Sequence, residues 1–332
     1  MLRPSFSLLI ALLLGLVVFL FCLSLAVGQV WINPLGGLFA GSDEIARADH
    51  VILLEIRLPR AILALSVGAT LGLCGAVLQG LLRNPLAEPG VMGVSASASL
   101  GAIVAIFSGL TTSFPYALPV AALAGALLGV LLLLVLAGRS SDILTLILSG
   151  MAITSFANAL SSLVLNLSSN PFASLEIVFW LLGSLADRSM VHVVLSVPFM
   201  AAGAAMLLST GRALDALSLG PDVARSLGVD TRRTRTLTIL GTAIGVGAAT
   251  AVTGMIGFVG LIVPHLLRPL VGAKPSRLLP VSALGGAAFL LLADLLVRVV
   301  LPEKDLKLGV VTAIIGAPFF LWLLHKIRRR IV

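Results

Sequence analysis

The sequence predicts an all-α polytopic membrane protein, and three observations carry that prediction. Of 332 residues, 59% are hydrophobic and 11% are charged, whereas a soluble domain carries about 25% charged residues. Mean hydropathy is +1.14, which also excludes disorder, a coiled coil and a fibrous repeat. No stretch shows the alternation of a barrel strand, so the spans read as helices. The length accommodates roughly ten spans of about 20 residues in a single transmembrane domain over 1–332. The formal charge of +8 reports topology and contact with anionic lipid rather than nucleic acid. Cys22 and Cys74 lie in apolar runs and support neither a disulfide frame nor a thiolate metal site.

The first apolar run, 5–27, follows Arg3 and superficially resembles a signal peptide. It exceeds the usual apolar region of about 7–15 residues, so it reads as a retained span. Further runs follow at 60–82, 90–109, 117–137, 143–166, 190–209, 236–254, 255–267, 278–300 and 308–325. The run at 255–267 is too short to cross alone and reads as a broken or re-entrant helix. Ten crossings put both termini on one side. With that side cytoplasmic, 15 of the 22 Lys and Arg residues fall inside and 7 outside, as the positive-inside rule requires. Gly68 and Gly72, Gly125 and Gly129, and Gly241 and Gly245 recur at four-residue spacing, the pattern of close helix approach in membranes.

Catalysis finds little support. His50, His192, His265 and His325 show no ligand spacing. No Gly-x-Ser-x-Gly elbow occurs. Lys274, Lys304, Lys307 and Lys326 never follow a glycine, so the chain has no Walker A loop. Any ATP that drives it binds another subunit. Asp294 is the deepest acid and shares a helix face with Arg298, four residues on. About 1.5 Å per residue from Arg277 puts Arg298 some 30 Å away, at the outer interface. A structural ion pair, a proton relay and an outer docking charge all fit that position.

Arg57 and Arg60 flank Pro59 at the outer mouth of the second span. They read either as snorkelling anchors or as guanidinium groups that hold a partner's carboxylate. Arg83-Asn84-Pro85-Leu86-Ala87-Glu88-Pro89-Gly90 breaks the helix between two apolar runs. Its freed backbone groups must be buried or must line a wet path. Gly257-Phe258-Val259-Gly260-Leu261-Ile262-Val263-Pro264-His265 is glycine-punctuated and ends at a proline. The elbow that follows carries Arg268, Gly272, Lys274 and Arg277. It suits either an ordinary inner loop or a dock for a soluble motor.

Taken in order, these motifs resemble the permease subunits of type II ATP-binding-cassette importers, the FecCD group of iron-chelate, haem and vitamin B12 uptake. The resemblance spans nearly the whole chain. It rests on Arg57-Leu58-Pro59-Arg60, Gln79 with the Arg83–Pro89 stretch, and Trp180 with Gly183 and Ser184. It continues through Leu219-Gly220, Ala224-Arg225-Ser226-Leu227-Gly228 and Gly257–His265, and ends on Asp294, Arg298 and Gly316-Ala317-Pro318-Phe319-Phe320.

The resemblance implies a multi-pass permease of the bacterial inner membrane that pairs with a second copy of itself. It implies two cytoplasmic ATPase subunits, which hold ATP and Mg2+, and a periplasmic or lipid-anchored binding protein. This chain itself would carry no cofactor or metal and no catalytic residue. Arg57, Arg60 and Arg298 are then expected to dock the binding protein. Gln79, Asn84 and Leu86 are expected along the path and gate, and Pro264, His265, Arg268, Gly272, Lys274 and Arg277 in coupling helices at about 265–277. Asp305-Leu306-Lys307-Leu308-Gly309 departs from the Glu-Leu-Pro-Val-Gly that the family often shows, and Ser140-Ser141-Asp142 carries no gate assignment. The expected activity is uptake of an iron chelate, a ferric siderophore or haem, by alternating access at the dimer interface. A corrinoid or molybdate importer is the alternative within the family. A proton-coupled carrier and an intramembrane transferase are the alternatives outside it; the missing His, Asp and Lys constellation argues against the transferase.

Overall fold

The structure, a computed structural model, describes residues 5–28, 32, 44–114, 116–138, 143–300 and 306–331. No strand occurs among them. Helix α1 (Phe6–Ala26) starts where the Ser5 hydroxyl accepts the Leu8 N–H. Helix α2 (Glu44–Val51) passes through a π-helical turn, Ile52–Arg57, into α3 (Leu58–Leu81). A 3-10 turn, Pro89–Met92, then leads to α4 (Val94–Phe107). The single turn α5 (Leu110–Ser113) precedes α6 (Ala117–Ala137), α7 (Ile143–Leu167), α8 (Pro171–Leu181) and α9 (Met190–Ser209). Two short helices follow, α10 (Gly211–Leu217) and α11 (Pro221–Ser226). The chain ends with α12 (Thr231–Thr253), α13 (Val259–Leu267), a 3-10 turn at Arg268–Val271, α14 (Pro275–Val300) and α15 (Leu308–Ile331).

Among the described residues, eight helices are long and apolar enough to cross a membrane. The expected third and eighth spans form shorter helices, α4 of 14 residues and α13 of 9. Each is cut short at its start by a left-handed residue, Gly93 at φ 77° before α4 and Phe258 at φ 68° before α13. Helix α12 begins five residues earlier than its apolar run because the Asp230 carboxylate caps it, accepting the Arg233 N–H at 2.9 Å. Helix α8 was not anticipated. Its signal, an Asn170 cap followed by Pro171, is local and sound. Its 11 residues are too few to register as a crossing.

Helix α3 is the centre of the bundle, with α9, α12, α13 and α14 packed around it. Its glycines make this possible. A Cβ on Gly68 would lie 2.3 Å from the Gly286 carbonyl oxygen, one on Gly72 2.2 Å from that of Ser282, and one on Gly75 1.9 Å from that of Gly260. Backbone therefore meets backbone along one face of α3, as small residues permit in lipid. Helices α4 and α6 meet similarly at Gly101 and Gly125. Helices α1 and α15 lie at the periphery with most of their apolar surface exposed.

The Gly286→Ala variant should lower the unfolding temperature in detergent. Its new methyl would sit 2.1 Å from the Gly68 carbonyl oxygen, an overpacking that costs about 1–3 kcal/mol. Gly15→Ala, mid-helix with nothing within 4 Å, should not lower the unfolding temperature.

Candidate functional site

At the outer end of the bundle, three of the expected site residues converge. Arg60 Nε donates to both oxygens of Asp294, at 2.9 and 3.2 Å, and its Nη2 lies 2.9 Å from Oδ1. Arg298 Nε donates to Asp294 Oδ2 at 2.9 Å, with Nη2 on the same oxygen. Asp294 itself is fully buried. Arg298 also reaches α1: Nη1 donates to the Ser24 carbonyl at 2.9 Å and Nη2 to the Ser24 hydroxyl at 2.6 Å. Arg57 Nη1 donates to the carbonyls of Leu25 at 2.9 Å and Ala26 at 2.7 Å.

The reason is helix termination. The last carbonyls of α1 have no helical partner, and its last turn carries no basic residue. In lipid those carbonyls need donors, and Arg57 and Arg298 supply them. The sequence left Arg57 and Arg60 as snorkelling anchors or as groups that hold a partner's carboxylate, both of which put the guanidinium head at the surface. Instead, Arg57 is only 5% exposed and the Arg298 side chain 8%. Arg60 is the most open of the three, at 18%. The Asp294–Arg298 ion pair forms as the four-residue spacing suggested, and Arg60 makes it a triad.

At the inner end, Gln79 was expected along the path, but it is buried against α13. Its Oε1 accepts from Arg268 Nη2 at 2.6 Å, and its Nε2 donates to the Gly260 carbonyl at 3.2 Å. Asn84 is exposed and Leu86 half-buried. The Asn84 side chain accepts the Leu86 N–H at 2.9 Å and shapes the break that starts at Arg83, itself left-handed at φ 47°. Glu88 was passed over in the sequence. Its carboxylate accepts the Phe258 N–H at the start of α13. Burial pushes that carboxyl above the ordinary range, and the Phe258 N–H pulls the other way.

The expected coupling residues divide into two sets. Pro264 is buried inside α13, and His265 packs edge-on against Phe319 with centroids 5.7 Å apart. Arg268 turns inward to Gln79. Gly272, Ala273, Lys274 and Arg277 remain exposed. Gly272 and Ala273 are both left-handed, at φ 69° and 60°, which folds the elbow back into α14. Asp215 of α10, which the sequence did not single out, caps α14 by accepting the Ser276 N–H at 2.8 Å. It thereby fixes α10 and α11 beside the elbow. Leu219, Val223 and Leu227, on and around α11, are exposed there, as are Leu266 and Leu270 of the elbow. Ser140-Ser141-Asp142 and Asp305 lie outside the described residues. Lys307 sits over the Phe179 ring, 5.4 Å from its centroid. Among the described residues, no group of three His, Cys, Asp or Glu side chains could hold a metal ion.

Apolar helices around a broken central segment, with a folded elbow at the inner end, define a multi-pass membrane permease. The chain belongs to the FecCD transport family, whose model matches residues 16–326. It is 41% identical over 280 residues to the Fe(3+) dicitrate transport system permease protein FecD of Escherichia coli, covering 84% of this chain and 86% of FecD. It is 40% identical over 317 residues to the vitamin B12 import system permease protein BtuC of Vibrio cholerae, covering 95% of this chain and 93% of that one. A solved structure described as an inward-facing metal-chelate type ABC transporter superposes with a TM-score of 0.85 at 34% identity, covering 96% of this chain and 98% of the other. The protein is therefore an ABC importer permease of the bacterial cell membrane, of a family in which a separate subunit hydrolyses ATP.

Asp294→Ala should destabilise the folded protein strongly, by about 3–5 kcal/mol, because it strands the buried Arg298 guanidinium and the half-buried Arg60 beside it. Thermal unfolding in detergent reads this directly. A change of under about 1 kcal/mol, the size of an exposed pair, would contradict the burial argument.

Proposed function

We propose that this permease takes up an iron chelate, a ferric siderophore or haem, as a homodimer driven by two cytoplasmic ATPase subunits. A binding protein delivers the chelate at the outer face. The observations that support this reading are the likeness to the Fe(3+) dicitrate permease and the match over nearly the full chain to a transporter described as of metal-chelate type. The likeness to vitamin B12 permeases makes a corrinoid the alternative substrate. The chain's low charge and single tyrosine suit weak contact with a bulky chelate better than a tight grip on a small anion.

Exposed Leu219, Val223, Leu227 and Leu270, with basic Lys274 and Arg277 beside them, form the ATPase dock in this reading. The dock is wider than the 265–277 elbow and includes α10 and α11. At the other end, acidic groups on the binding protein engage Arg60 first. Arg57 and Arg298 join only by releasing the α1 carbonyls, so docking exchanges one set of acceptors for another. Asn84 and Leu86 border the path, which opens alternately to either side between the two copies.

The test is reconstitution in vesicles with the ATPase and binding protein, offering labelled ferric siderophore, haem and cobalamin in parallel. ATP-dependent accumulation of an iron chelate supports the proposal; accumulation of cobalamin alone replaces the substrate. Accumulation against a gradient without the ATPase would end the reading altogether.

A further inference from the structure

The short helix α13 is fastened to the rest of the molecule at three points. At its start, the Glu88 carboxylate accepts the Phe258 N–H. Phe258 is held in the left-handed region, at φ 68°, with its ring on Gly316 of α15, where a Cβ would lie 2.1 Å from the ring. A bulky residue there is strained and persists only when its surroundings fix it. Two residues on, Gly260 is wedged between Gly75 of α3 and Pro89 of the break. A Cβ on Gly260 would lie 2.8 Å from Pro89 Cδ and 3.3 Å from Gly75 Cα. Gln79 Nε2 donates to the Gly260 carbonyl at that level, at 3.2 Å. Beyond the end of α13, the Arg268 guanidinium returns to Gln79 Oε1 at 2.6 Å.

Gln79 thus uses both ends of its amide. One holds the helix, and the other holds the first residue of the elbow. Glu88 holds the opposite end of the same helix and belongs to the break that contains Asn84 and Leu86. Each contact is buried or half-buried, where a lost partner leaves a polar group unsatisfied.

We propose that Gln79 and Glu88 are positioning residues that fasten α13 and the elbow to α3 and the 84–89 break, so that elbow and break move as one body. Motion imposed on the elbow then reaches Asn84 and Leu86 without loss. This inference rests on the reading of the chain as an ATP-driven importer permease, and it assigns Gln79 to transmission rather than to the lining of the path.

The test uses the complete transporter in vesicles, with solute moved per ATP hydrolysed as the readout. Gln79→Leu and Arg268→Leu should each lower that ratio about tenfold, the size of a lost charge-assisted bond. The double variant should be no worse than Gln79→Leu alone, because that substitution already removes the only tie that Arg268→Leu cuts. Glu88→Leu should lower the ratio similarly, while Glu88→Gln, which keeps an acceptor for the Phe258 N–H, should restore most of it. Hydrogen exchange gives an independent reading: amides 258–262 should exchange faster in Glu88→Leu than in wild type or Glu88→Gln. Multiplying losses in the double variant, unchanged ratios, or unchanged exchange in Glu88→Leu would overturn the inference while leaving the importer reading intact. Wild-type vesicles that show no ATP-driven uptake would take down both.

Discussion

Helix α3 lies against α13 and α14 with backbone close to backbone, because glycine occupies three successive contact positions on α3. Gly68, Gly72 and Gly75 face Gly286, the Ser282 carbonyl and Gly260. In lipid there is no hydrophobic gain from bringing two apolar helices together, so close van der Waals contact must supply the adhesion. Everything functional is arranged around that seam. It brings Gln79 within reach of α13 and sets Pro89 of the break on Gly260. It also carries Arg60 of α3 to Asp294 of α14 at the outer end.

The two ends of the seam handle polar groups differently. At the outer end, Asp294 pairs with Arg60 and Arg298 while Arg57 and Arg298 serve the carbonyls of α1, and of these groups Arg60 is the most open to water. At the inner end, amide, guanidinium and carboxylate groups hold a half-helix whose backbone direction changes at Phe258. Neither network resembles a catalytic constellation. Both join segments distant in sequence, which is how a rigid body is assembled from helices with broken ends.

Much of this was legible in the sequence. Long apolar runs gave α1, α3, α6, α7, α9, α12, α14 and α15 because crossing a bilayer imposes length and composition together. The Asp294–Arg298 pair was legible because four-residue spacing fixes a shared face. The glycine spacing at Gly68 and Gly72 announced a close contact but not its partner, since α14 lies some two hundred residues away. The burial of Arg57 was hidden for the same reason: the carbonyls it serves belong to α1, and nothing local to Arg57 reveals them. Gln79 was expected along the path from the resemblance alone; its ties to the Gly260 carbonyl and to Arg268 reach residues some two hundred positions away and were not legible locally. Asp215 caps a helix 61 residues further along the chain, beyond any local capping rule. Helix α8 escaped because its 11 residues fall below the length that signals a crossing.

The account stands on the elbow and the break being one body, and one distance tests it. Spin labels on the exposed positions 84 and 274 of a single protomer should report the same separation with and without ATP in the assembled transporter, while labels on position 84 of the two copies report a changed one. A separation between 84 and 274 that shifts with nucleotide would contradict the account.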